Sequence, residues 1–143
     1  MGQSISSREL KEKLSADPGV VFESFAKLIV HVGAVGAGQK AKLVNNALMA
    51  AHMSLAHHAL QLASTLQLDR AALIELIKNS SGRSFGFETY ARLPSPQSFA
   101  HGGALLAKDV RLLGALQASD TDATAISAVT TAFLALTQHS PAS

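Results

Sequence analysis

Apolar side chains recur at three- and four-residue spacing through the middle of the chain: Leu43, Ala47, Ala50, Ala51, Leu55, Ala59 and Leu62. That is the period of a helix face. No proline falls between positions 37 and 66, and no glycine follows Gly38 there. The pattern therefore predicts one helix from Ala37 to Leu66, about 30 residues and about 45 Å long. A helix of that length in a small domain is expected to bury several of its sides.

The flanking pattern is mostly helical as well. Asp69 stands where an N-cap is needed for a helix from Arg70 to Asn79, which Ser80-Ser81-Gly82 stops. Residues 83–101 read as loop, with Pro94 and Pro96 preventing a continuous helix. A third helix is predicted from Ala104 to Ala118. A fourth runs from Ala123 to Gln138, capped by Asp120-Thr121-Asp122 and ended by Ser140-Pro141. Upstream, Arg8–Leu14 and Val20–Lys27 are weak helices separated by Asp17-Pro18-Gly19, and Leu28-Ile29-Val30-His31-Val32 reads as a single strand. The expected fold class is all-α, built on one long helix with a residual N-terminal strand. The many alanines favour close helix packing.

Composition narrows the functional classes. The 143 residues suit one domain with a real core, and 48% hydrophobic against 15% charged residues marks a globular chain. The net charge is +2 and the pI near 9.2, yet lysine and arginine form no stripe and aromatics are 5%, so nucleic-acid binding has little support. The absence of cysteine removes disulfides, thiolate metal sites and thiol nucleophiles together, and is compatible with a reducing cytoplasm. The apolar run from Ala47 to Leu66 contains His52, Ser54, His57, His58 and Gln61, too polar for a membrane span. Met1-Gly2-Gln3-Ser4-Ile5-Ser6 fits a myristoylation pattern, but residues 1–27 read more simply as a polar leader and linker remnant.

The stretch with most chemistry is Gly36-Ala37-Gly38-Gln39-Lys40-Ala41-Lys42-Leu43-Val44-Asn45-Asn46. Gly36-x-Gly38-x-x-Ala41 between a strand and a helix has the letters of a dinucleotide fingerprint. That motif also needs a second parallel strand and an acidic residue about twenty positions on. Here the helix continues instead, and Asp69 arrives with no strand before it, so this is not a Rossmann unit. On the helix, successive residues turn about 100°, which puts Lys42, Asn45, Asn46 and Met49 on one face and points Lys40 away. An ammonium beside carboxamides near a helix start suits an anionic or hydroxyl-bearing ligand. A lysine lying along a packed helix, with amides serving loop carbonyls, is the plain alternative.

Taken together, Gly33-x-Val35-Gly36-x-Gly38-Gln39-x-x-Lys42-x-x-Asn45-Asn46, then Leu68-Asp69, Ile77-x-x-Ser80-Ser81-Gly82-Arg83, Thr89-Tyr90 and Leu106-x-Lys108-Asp109 resemble the C-terminal helical domain of the 3-hydroxyisobutyrate dehydrogenase (β-hydroxyacid dehydrogenase) family. The resemblance covers about residues 28–137. It implies a 6-phosphogluconate dehydrogenase C-terminal-like helical domain that handles substrate and dimerisation over residues 28–143. In that family an N-terminal Rossmann domain binds NAD or NADP. The resemblance further implies that Lys42 is catalytic, exchanging a proton with the hydroxyl of a small 3-hydroxy acid. Asn46 would orient that substrate with support from Asn45, Lys108 would reach the cofactor, and Asp109 would cap or brace its own helix. A lysine at position 42 also argues against the related imine reductases. The family's nucleotide fingerprint and Ser-Gly-Gly loop have no counterpart here, so the expectation is half of an active site, with no tight NAD binding and no turnover by this chain alone.

The remaining polar residues carry less. His52, His57 and His58 lack the i, i+4 pairing of a zinc helix and read as core or interface histidines, with no metal expected. Phe85, Phe87, Tyr90 and Phe99 read as packing over the helices. Ser80, Ser81 and Ser84 have no visible histidine–acid partners. Two function classes stay open, a dehydrogenase half and a non-catalytic helical dimerisation module. Both expect the long helix to meet a second copy of the chain.

Overall fold

A computed structural model describes residues 33, 35–116, 119 and 121–139. They form five α-helices and one 3-10 turn: α1 Ala37–Thr65, α2 Arg70–Lys78, α3 Phe85–Ala91, the 3-10 turn Pro96–Phe99, α4 Ala100–Leu116 and α5 Thr121–Gln138. No strand occurs among the described residues, and the all-α class holds. The strand expected at Leu28–Val32 and the two weak helices before it lie outside them. The chain divides into two compact units, Met1–Lys42 and Leu43–Ser143. In the first, Gly36 takes φ 91°, a left-handed turn that favours glycine, and α1 starts at the next residue.

The second unit holds the core. α1 has 29 residues, close to the expected length, and its buried positions run from Leu43 and Ala47 through Met53 and His57 to Ala63. On a helical wheel these span about 240°, so α1 is enclosed on most sides. Ala47, Ala50, Met53, Ala56 and Leu60 meet Phe87 and Tyr90 of α3, Leu106 and Val110 of α4, and Phe133 and Leu134 of α5. Buried hydroxyls are paired: Ser54 Oγ donates to the Val129 carbonyl at 2.6 Å, and Thr137 Oγ1 to the Leu134 carbonyl at 2.7 Å. No buried side-chain polar atom among the described residues lacks a partner.

α1 ends without glycine. Gln67 takes φ 59°, its N–H donates to the Ser64 carbonyl, and the Leu68 N–H reaches back to the Ala63 carbonyl. This is a Schellman motif with glutamine where glycine is usual. Asp69 then caps α2 as expected, accepting from the Ala72 N–H at 2.7 Å.

Three sequence expectations are corrected. Residues 83–101 are not loop throughout. Ser84 caps α3 by accepting the Phe87 N–H at 2.9 Å, and Pro96 opens the 3-10 turn that leads into α4. Gly86 argues against a helix on propensity, but it allows α3 to cross α1 closely: a Cβ there would lie 2.6 Å from His52 Cβ. Likewise α4 begins at Ala100, four residues before the predicted start. Gly102 and Gly103 sit inside it, where Phe99 and Thr137 pack against the backbone. α5 also starts earlier than predicted, at Thr121, which places Asp122 in its first turn rather than before it.

Candidate functional site

The site is built where α1 and α4 exchange a hydrogen bond. Asn46 Nδ2 donates to Asp109 Oδ2 at 2.6 Å, joining residues 63 positions apart. Asn45 Nδ2 donates to Asn46 Oδ1 at 3.3 Å. Asn46 and Asp109 are half-buried, whereas Asn45 is exposed. A 2.6 Å contact onto a carboxylate oxygen is short and charge-assisted, the stronger class of hydrogen bond. Asp109 thus engages Asn46 on α1, where the sequence suggested a role in its own helix. No sequence signal separates the two roles, because the contact depends on how α4 packs.

Lys108 precedes Asp109 on α4 with an exposed side chain. Lys42 is exposed on α1, within the N-terminal unit, as is Lys40. The structure therefore unites Asn45, Asn46 and Asp109 and leaves the amines of Lys42 and Lys108 open to solvent. For a dinucleotide, the C-terminal unit offers one exposed cation, Lys108, next in sequence to Asp109. That donor suits one contact to an anionic edge of the cofactor, not the whole of its binding.

Beneath this surface lies a second polar pair. His57 Nδ1 and the Tyr90 hydroxyl are 2.7 Å apart in the core. The Phe133 ring lies 5.8 Å from that of Tyr90 and 5.9 Å from that of His57. Burial lowers the His57 pKa from the ordinary 6.5, and neighbouring His58 lowers it further. Burial raises the Tyr90 pKa above 10.0, partly opposed by Arg70. In the neutral tautomer that carries its proton on Nε2, His57 Nδ1 accepts from the tyrosine hydroxyl; in the other tautomer Nδ1–H donates to it. His57 is thus the expected core histidine, while His52 is half-buried and His58 exposed. Phe87 and Tyr90 are buried as expected, but Phe85 is exposed. No group of three His, Cys, Asp or Glu residues among those described could hold a metal ion. No helix among them is long and apolar enough to cross a membrane.

An all-α unit in which adjacent asparagines on a long helix meet Asp109 of α4 is the setting in which the family match falls. The family described as NAD-binding of NADP-dependent 3-hydroxyisobutyrate dehydrogenase matches residues 36–142, and the chain belongs to that family. Among curated relatives, the chain is 38% identical over 95 residues to the 3-hydroxyisobutyrate dehydrogenase of Pseudomonas aeruginosa, covering 65% of this chain and 32% of the relative. The mitochondrial 3-hydroxyisobutyrate dehydrogenase of Drosophila melanogaster is 36% identical over 101 residues, 64% of this chain and 31% of the relative. The human mitochondrial enzyme is 37% identical over 93 residues, 59% and 28% respectively. The matched segment spans about a third of the length of these relatives. No solved structure gives a significant match.

Proposed function

We propose that this chain is the C-terminal substrate and dimerisation domain of an NAD(P)-dependent 3-hydroxyacid dehydrogenase. The observation that carries the reading is the family match over residues 36–142, which contains Lys42, Asn45, Asn46 and Lys108 together. Lys42 is the general acid–base, its Nζ exchanging a proton with the substrate hydroxyl. Asn46 orients that hydroxyl, with Asn45 beside it. Lys108 contacts the cofactor, which when bound supplies the hydride acceptor. The rest of the cofactor site belongs to the other two thirds of such an enzyme. On this reading the isolated chain neither binds NAD tightly nor turns over.

The partner in dimerisation is a second copy, met through α1. Val44, Leu48, Leu55 and Leu62 are each about half exposed, and helical rotation gathers them within about 40°. No Lys, Arg, Asp or Glu occurs from Leu43 to Thr65. A helical stretch free of these charges, with an exposed leucine stripe, has the pattern of a helix-pairing seam. That stripe also favours the second reading, a helical dimerisation module without catalysis.

The two separate in one experiment. The chain is fused behind the cofactor domain of a family dehydrogenase, and oxidation of 3-hydroxyisobutyrate is followed as NADH or NADPH forms. The dehydrogenase reading expects turnover from the fusion and none from the chain alone. Turnover by the isolated chain, or an assembled dimeric fusion without activity, overturns it.

A further inference from the structure

Asn46 is held by two neighbours of different character. Its carboxamide has two N–H donors and a carbonyl oxygen with two lone pairs, whereas an ionised carboxylate only accepts. Swapping the amide end for end keeps its shape but reverses its chemistry, so a neighbour that tolerates only one end decides what it presents. Asp109 is such a neighbour. With its Oδ2 at 2.6 Å from Asn46 Nδ2, the reversed amide would set two acceptors against each other at the same distance. Asn45 accommodates that orientation, its Nδ2 donating to Asn46 Oδ1 at 3.3 Å, but its own exposed amide can turn and does not enforce it.

We propose that Asp109 is a positioning residue that locks the Asn46 carboxamide with nitrogen towards α4, so that a ligand at Asn46 meets its carbonyl oxygen. One lone pair of that oxygen goes to Asn45 and the second serves the ligand. A hydroxyl can donate to it; a carboxylate cannot. Asn46 therefore reads the hydroxyl of a hydroxy acid, and the negative charge of Asp109 turns the acid's carboxylate away. The ligand half of this inference rests on the proposed function; the lock itself does not.

The test uses the full 143-residue chain, labelled with ¹⁵N. In the wild type, one Asn46 side-chain amide proton is protected from solvent exchange, by about tenfold relative to the exposed Asn45 amide. Asp109→Asn keeps the shape but admits both amide orientations; it abolishes the protection, and Asp109→Glu restores part of it. Backbone spectra report whether each variant is folded, and the wild-type comparison of Asn46 with Asn45 stands without any variant. For the ligand half, 3-hydroxyisobutyrate shifts the Asn46 amide, isobutyrate does not, and Asp109→Asn weakens the hydroxy acid about tenfold. Equal exchange at Asn46 and Asn45 in the wild type overturns the lock. A locked amide that responds equally to both acids, or to neither, overturns the hydroxyl reading. A locked amide in a chain whose fusion fails to turn over brings down the proposed function alone.

Discussion

The close crossing of α3 over α1 predicts that Gly86→Ala destabilises the fold even though alanine is the better helix former. A methyl at Gly86 would lie 2.6 Å from His52 Cβ, 3.1 Å from the Met49 carbonyl oxygen and 3.3 Å from the Met53 nitrogen. Carbon atoms in contact sit about 3.5–4.0 Å apart, so α3 must retreat by about 1 Å. Two of the three neighbours are backbone atoms and the third is a Cβ, so no flexible side chain can give way. Overpacking of this kind costs about 3 kcal/mol at the upper end of the usual range, and the gain in helix propensity returns about 1 kcal/mol. The net loss is about 2 kcal/mol, which lowers the melting temperature by about 8 °C at roughly 4 °C per kcal/mol for a domain of this size. Gly114→Ala is the control, because a Cβ there meets nothing within 4 Å; it should stabilise by about 1 kcal/mol. Urea unfolding of both variants measures the pair. If Gly86→Ala is as stabilising as Gly114→Ala, the packing of α3 on α1 is wrong.

Further outcomes follow from the same structure. Gln67→Gly relieves the left-handed backbone at the end of α1 and should stabilise by about 0.5–1 kcal/mol in the same urea assay. Because burial lowers the His57 pKa below 6.5, the unfolded chain binds the extra proton first. Stability is therefore full above pH 6.5, falls as pH drops through it, and levels off below the folded value. His57→Gln should flatten that fall between pH 8 and pH 5.5. Leu48→Glu with Leu55→Glu places two charges on the proposed seam and should convert dimer to monomer by sedimentation, with the helical circular dichroism retained.

What the sequence made legible was the part governed by local rules. The period from Leu43 to Leu62 located α1 almost to the residue, and Asp69 announced α2 by its side chain and position. What it hid depends on neighbours distant along the chain. Gly86 and Gly103 look like helix breakers in isolation, yet both lie in helices where residues far along the chain, His52 and Thr137, pack against them. The stop at Gln67 was hidden because the residue most often found there is glycine. At the candidate site the motif drew attention to Asn45, Asn46 and Lys108, and the structure contributed the link from Asn46 to Asp109 across 63 residues. The His57–Tyr90 pair joins residues 33 apart and has no local signature.

The central claim is that this chain brings the proton-transferring lysine to a dehydrogenase, and kinetics of Lys42→Ala in the fused enzyme test it most directly. Loss of a general acid–base costs about 10²–10⁴ in rate. In that variant kcat should fall at least about 100-fold, with dimer and cofactor binding intact. A Lys42→Ala enzyme that turns over at the wild-type kcat contradicts the claim.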